Sequence, residues 1–326
     1  MSKMRVFAGL FLAALCGAQS QTEITFPGLS HSNPGATFDH GYVVARDLMQ
    51  VHNITVYSPN GQKMFDLSSL TLPDGTKTTT PLSVAIDSDG VSALTYSVEG
   101  DPRSGFAILD NTGAQLRVIQ TEPYRPSQVC FAPDHSIWMF GDHFHAGHDV
   151  PMPDFMTFRH YTRDGQLLGS YIPRSSLPAW EGKGLDQLVA PFVGLWRLRA
   201  TKDRIGAALR VGPFKEAWVE LDFDGKLLGQ WTYLSSTEEG VFPIAFDSTG
   251  LLYGRHWLNG SNVGVSIFDK STSTWRPVPD LPNGRVLGAD GTRLVYQDGD
   301  QLRWIQAVNM EPVESATVSL KAAPPL

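Results

Sequence analysis

The chain has 326 residues, of which 42% are apolar and 18% are charged, with 31 glycines and 22 prolines. This apolar content is enough to build a sizeable core and excludes a generally disordered chain. The 26 basic and 33 acidic residues give a formal net charge of −7. The absence of a basic run argues against a nucleic acid as partner. Abundant glycine and aromatic residues with few charged ones favour a β protein over a helical bundle.

The first 20 residues have the pattern of a secretory signal peptide. Lys3 and Arg5 precede an apolar stretch over 6–15, and a small-x-small cleavage pattern follows at 18–20. An apolar helix of this length spans about 15 Å, too short to cross a bilayer. We therefore expect a signal peptide over 1–20, one folded domain over 21–320 and a frayed tail over 321–326. The mature protein is expected in the periplasm or outside the cell, without a membrane span and as a monomer.

Two kinds of turn alternate along the rest of the chain, and both join segments rich in β-forming residues. The first kind is a short Asp-containing turn, often with Gly, in six segments: 38–46, 86–97, 132–141, 201–210, 246–255 and 289–297. The second kind joins longer segments: 54–67, 106–119, 156–172, 217–233, 265–278 and a fainter copy at 301–318. Asp and Gly tolerate positive φ, so both series indicate β-hairpins.

The strict alternation predicts six repeats of two hairpins each. In the second series Gly61, Gly113, Gly165 and Gly225 recur at steps of 52, 52 and 60 residues. Two hairpins per repeat give a four-stranded antiparallel sheet, and a repeat of this length is typical of a propeller blade. The prediction is an all-β, six-bladed β-propeller, with a β-sandwich as the alternative. Because the sixth repeat is faint, residues 22–26 are expected to add a strand that closes the ring. Cys130 is expected to be a small buried side chain.

One repeat carries a resemblance to known propellers. Segment 244–272 reads apolar–Asp–x–x–Gly–apolar–aromatic and later apolar–Phe–Asp, and it resembles a blade of the six-bladed NHL-like and TolB-like propellers. The resemblance implies a six-bladed fold. It also implies that function belongs to the face formed by the B–C and D–A loops, where strands A to D of each blade run from the axis outward. Both tight-turn series would then lie on the opposite face.

One of these loops is rich in potential metal ligands. Residues 141–149 contain His143, His145 and His148 together with Asp142. Because side chains alternate along a strand, His143 and His145 would point to the same side. Imidazole with a carboxylate suits Zn²⁺ or another first-row metal, and His256 or His52 is the expected donor from a neighbouring blade. The alternative is a solvated polar loop whose histidines bond locally.

Cations and aromatic residues are also predicted on this face of an acidic protein. The candidates for ligand binding are Arg125, Tyr124, Trp180, Arg255 and Trp257. Such a surface suits an anionic or sugar-like ligand.

Two functions remain open from the sequence. The first is an exported binding scaffold for a protein, peptide or glycan, because no Gly-x-Ser-x-Gly motif, phosphate loop or dinucleotide fingerprint is present. The second, implied by the resemblance, is a metal-dependent hydrolase, lactonase or lyase centred on the histidines of 142–149.

Overall fold

The structure is a computed structural model that describes most of the chain between residues 23 and 306. The described residues are 23–27, 29, 36–46, 53–78, 80–98, 102–143, 152–179, 198–212, 215–234, 239–259, 261–279, 281 and 285–306. Six separate four-stranded antiparallel sheets make up this part of the chain. The prediction of a six-bladed β-propeller is therefore confirmed, and a β-sandwich is wrong because the strands do not form two stacked sheets.

Strand β1 (Glu23–Thr25) comes first in the chain but belongs to the last sheet. Blade one contains β2 (Thr37–Asp39), β3 (Tyr42–Arg46), β4 (Ile54–Tyr57) and β5 (Lys63–Leu67). Blade two contains β6 (Thr80–Ile86), β7 (Ser92–Ser97), β8 (Ser104–Leu109) and β9 (Gln115–Gln120). Blade three contains β10 (Tyr124–Phe131), β11 (Ile137–His143), β12 (Met156–Tyr161) and β13 (Leu167–Pro173).

The second half of the chain repeats this order. Blade four contains β14 (Leu198–Ala200), β15 (Ile205–Gly212), β16 (Lys215–Leu221) and β17 (Leu227–Leu234). Blade five contains β18 (Glu239–Phe246), β19 (Leu252–Leu258), β20 (Ser261–Asp269) and β21 (Thr274–Pro277). Blade six contains β22 (Arg285–Asp290), β23 (Arg293–Asp298), β24 (Gln301–Gln306) and β1. A single 3₁₀ turn, Arg174–Ser176, is the one helical element among the described residues, and no helix there is long and apolar enough to cross a membrane.

The predicted turn glycines occupy positions that favour glycine. Gly113 has φ +84° and Gly225 has φ +79°, in the left-handed region that side chains disfavour. The Asp at the start of such a turn fixes its backbone: Oδ1 of Asp110 accepts hydrogen bonds from the amides of Thr112 and Ala114, at 2.8 and 3.0 Å. Asp and Gly therefore act together to make the tight hairpins.

The N-terminal strand closes the ring, as the sequence predicts. β1 pairs antiparallel with β24, with Glu23 opposite Arg303 and Ile24 opposite Leu302. Nε of Arg303 lies 3.2 Å from Oε1 of Glu23. The outermost strand of blade six thus comes from the other end of the chain, in place of the faint hairpin predicted over 301–318.

The core consists of six apolar clusters, each between two neighbouring blades. The cluster between blades three and four, for example, contains Trp138 and Leu209, and the cluster between blades six and one contains Phe26 and Val295. Cys130 is 3% exposed in the former cluster, and burial raises the pKa of its thiol, so its predicted role as a buried apolar residue is confirmed. The six clusters match the six interfaces of a closed ring.

Candidate functional site

The two ends of the central channel differ in chemistry. We call the end formed by the B–C and D–A loops the loop face, and the end formed by the A–B and C–D turns the turn face. Four predicted site residues lie at strand ends of the loop face: Tyr124, Arg125, Asp142 and His143. Arg255 and His256 lie in the middle of β19 in blade five, so His256 does not belong to a blade that neighbours blade three. Trp257 follows His256 on β19 and is half-buried. Trp180, His52, His145 and His148 lie outside the described residues.

Arg125 and Asp142 face each other across β10 and β11 and form a bidentate ion pair. Nε of Arg125 donates to Oδ1 of Asp142 at 3.1 Å, and Nη2 donates to Oδ2 at 2.8 Å. Both carboxylate oxygens of Asp142 are thus engaged by one guanidinium. A metal bound by Asp142 would therefore share this carboxylate with Arg125 or replace the guanidinium.

Tyr124 lies in the core and not on the loop surface that the sequence pattern predicts. Its side chain is 0% exposed, its hydroxyl donates to the carbonyl of Thr157 at 3.1 Å, and the guanidinium of Arg159 stacks over its ring at 4.2 Å. The difference arises because β10 begins at Tyr124 and continues the ladder as far as His143, where a loop was expected.

His143 is half-buried at the end of β11, and its ring packs edge-on against Phe155 with 5.1 Å between centroids. Among the residues that the structure describes, no three His, Cys, Asp or Glu side chains come close enough to hold a metal ion. Because two histidines of the 142–149 segment fall outside this set, the metal site stays a prediction.

Two arginines at the loop face lie close to each other. Arg255 on β19 is half-buried, and its Nε makes no hydrogen bond within the described part of the chain. Arg285 begins β22, and its Nη2 donates to the carbonyl of Ala36 at 3.5 Å. Burial and, secondarily, the positive charge of Arg255 lower the pKa of Arg285 to about 9, and burial lowers the pKa of Arg255. The two guanidinium charges are therefore close together, and both are largely shielded from water.

Arg285 is a site residue that the sequence analysis missed. A charged residue at the first position of an inner strand was the available signal, because the A strands surround the channel. Arg46, 1% exposed, ends β3 at the same face in the adjoining blade, and burial lowers its pKa as well. Positive charge is thus concentrated at this end of the channel in a chain that is acidic overall.

The turn face carries a cavity of about 410 Å³ at the centre of the ring. All six A–B turns contribute to its wall, and its charged or titratable lining residues include Asp39, His40, Asp87, His135, Arg199 and Lys202. From the sequence pattern alone, these turns have only a structural role. Histidine at a turn position that other blades fill with glycine was the signal in the sequence.

Asp39 connects three blades in this cavity. Arg199 of blade four reaches across the axis, with 3.3 Å between its Nη1 and Oδ1 of Asp39 in blade one. Nδ1 of His40 lies 3.0 Å from the same oxygen, and the amide of Ile86 in blade two donates to Oδ2 at 3.2 Å. Burial by itself raises the pKa of Asp39, but Arg199 and His40 outweigh it and lower the pKa. The neighbouring carboxylate is the main reason that the pKa of His40 is raised to about 9.

No protein-family model and no curated protein matches this chain. Solved structures with a similar backbone include a gluconolactonase from Xanthomonas campestris, at 16% identity over 81% of both chains with a TM-score of 0.45. A luciferin-regenerating enzyme is 10% identical over 88% of this chain and 96% of its own, with a TM-score of 0.46. Hydrazine synthase from Kuenenia stuttgartiensis is 14% identical over 82% and 75%, also with 0.46. The fold assignment rests on the strand topology of this chain itself.

Proposed function

We propose that this chain is an exported binding scaffold whose loop face takes an anionic group of a protein, peptide or glycan. The observation that supports this most is the proximity of Arg255 and Arg285 at one end of the channel, where Nε of Arg255 makes no hydrogen bond within the described residues. The wider face adds Arg125 and the half-buried Trp257.

Arg255 carries a half-buried charge whose Nε has no hydrogen-bond partner within the described residues. A guanidinium removed from water without a counter-ion costs on the order of several kcal/mol. Two neighbouring guanidinium groups add mutual repulsion, as the lowered pKa of Arg285 indicates. An oxyanion of a ligand would offset both costs, because guanidinium binds carboxylate through paired, charge-assisted hydrogen bonds.

The ligand class follows from the surroundings of the arginines. The net charge of −7 repels anions at long range, so an anionic ligand needs a local positive site. Trp257, two residues after Arg255 on β19, is half-buried and offers an apolar ring for a sugar or a side chain. An acidic peptide and an acidic oligosaccharide are therefore the two probes to compare.

The test measures binding of a hexaglutamate peptide and of an oligogalacturonate to the full chain by calorimetry. Arg255→Gln is expected to weaken binding of the active probe at least about tenfold, since a charge-assisted hydrogen bond contributes about 1.5–3 kcal/mol. The same variant should unfold at an equal or higher temperature, because it removes an uncompensated charge. Arg276→Gln on β21, 45% exposed and paired with Asp269, is the control and should bind like the wild type.

Two results would contradict the proposal. One is the absence of binding by either probe to the wild-type chain. The other is equal binding by the wild type and Arg255→Gln.

A further inference from the structure

We propose that the turn-face cavity is a second binding site, which takes the carboxylate or phosphate group of a small molecule through His40, His135 and Lys202. It lies at the opposite end of the channel from the arginines of the loop face and does not depend on the function proposed above. Its volume of about 410 Å³ falls within the range of small-molecule pockets.

Both histidines occupy backbone positions that favour glycine. His40 has φ +48° and His135 has φ +67°. In the A–B turns of blades two and five, the position equivalent to His135 is held by Gly90 and Gly250, with φ +87° and +82°. In each of these turns the residue's amide donates to the carbonyl three positions earlier, so the turns have the same geometry. A side chain at such a position is strained, and strained residues that persist often have a function.

Each histidine makes a hydrogen bond to the protein through Nδ1, which leaves Nε2 for a ligand in the cavity. Nδ1 of His135 lies 2.8 Å from Oδ2 of Asp87, and Nδ1 of His40 lies 2.9 Å from the carbonyl oxygen of Ile86. Within the described residues, Nε2 of neither histidine has a hydrogen-bond partner. The carboxylate of Asp39 keeps His40 protonated at neutral pH, so its Nε2 carries a proton to donate.

The two most buried carboxylates of the cavity, Asp39 and Asp87, already accept hydrogen bonds from the protein. Oxygens of Asp39 accept from His40, Arg199 and the amide of Ile86. Asp87 is 2% exposed and accepts from His135 and, at 2.7 Å, from the amide of Ser88. The third carboxylate of the wall, Asp290, is partly exposed and pairs with Arg293 at 2.7 Å. Around the two histidines, what remains available to a ligand is therefore a set of donors, and donors select an anion.

Lys202 adds an exposed positive charge to the cavity lining. It is exposed in the A–B turn of blade four, and it makes no ion pair among the described residues. Arg199 lies deeper, bridged to Asp39 across the axis, and forms a charged floor between opposite blades. A ligand would thus lie above Arg199, with its oxyanion between the two histidines and Lys202.

The test titrates the full chain with inorganic phosphate and, separately, with citrate, and follows the histidine ring signals by NMR. The Nε2 and Cε1 signals of His40 and His135 should shift. Those of His160, which stacks on Trp138 at 4.4 Å between centroids, serve as the internal control and should stay. A response to phosphate alone identifies a phosphate site, and a response to citrate alone identifies a carboxylate site.

Two variants separate the site from the fold. His135→Gly restores the residue of the equivalent turns, so it should keep or raise the melting temperature while weakening anion binding at least about tenfold. Lys202→Ala should weaken binding by a similar factor, whereas Lys226→Ala, an exposed cation in a C–D turn, should not.

The proposal is overturned if neither anion shifts His40 and His135, or if His135→Gly and Lys202→Ala bind as the wild type does. Binding that is lost in Arg255→Gln but kept in these two variants would place the anion at the loop face, and would leave only the function proposed above.

Discussion

At the scale of single residues, Asp39 is bonded to groups from three different blades. Its carboxylate is bonded by His40 in its own blade, by the Ile86 amide in the next and by Arg199 in the opposite blade. Blades that share no core cluster are therefore linked through one ionised group. Both partners of the ion pair across the axis line the cavity at the turn face.

This linkage predicts a pH dependence of stability. The pKa of His40 is about 9 in the folded chain, against about 6.5 for an unperturbed histidine. A raised pKa means that His40 contributes stability fully below about pH 6.5 and loses that contribution as the pH rises through about 9. The free energy of unfolding in urea should therefore fall between these values in the wild type.

The matched variant is His40→Asn, because Asn also tolerates positive φ. It should show a shallower fall over the same pH range. Parallel pH profiles for the two proteins would contradict the linkage.

At the scale of elements, the turns were predictable and the strand ends were not. An Asp and a Gly determine a tight hairpin through local hydrogen bonds and φ, which is why Gly113 and Gly225 could be placed from the sequence. Strand ends depend on partners from the neighbouring strand. Tyr124 was expected in a loop because nothing local shows that it pairs with His143, and Arg285 was missed because its neighbour Arg255 comes from another blade.

The predicted metal ligands lie at the end of β11 and in the segment that follows it. If the histidines of 142–149 bind Zn²⁺, metal analysis of the purified full chain should find about one equivalent, and the His143→Ala/His145→Ala double variant should lose it. Binding needs neutral imidazole, so metal occupancy should decline as the pH falls below about 6.5.

Asp142→Asn is the informative comparison for this site. Because Arg125 holds both oxygens of Asp142, this variant should keep its metal if the imidazoles are the ligands. Metal well below one equivalent in the wild type, or equal metal in the wild type and the double variant, would remove the site.

At the scale of the whole molecule, stability depends on closing the ring. Each of the six core clusters lies between two neighbouring blades, so every blade is buried only when both of its neighbours are in place. The interface between blades six and one joins the two ends of the chain. It closes through β1 and through Phe26, whose amide donates to the carbonyl of Asp300 at 2.7 Å.

Phe26→Ala tests this closure most directly. Phe26 is 0% exposed and packs edge-on against Tyr57, with 6.1 Å between ring centroids, so its loss opens a cavity between the first and last blades. We expect the free energy of unfolding to fall by about 3–5 kcal/mol. Glu23→Gln, three residues earlier, removes only the exposed ion pair with Arg303 and should cost less than about 1 kcal/mol. Equal urea midpoints for the two variants would contradict this prediction. They would mean that the ring closes without a contribution from the N-terminal strand.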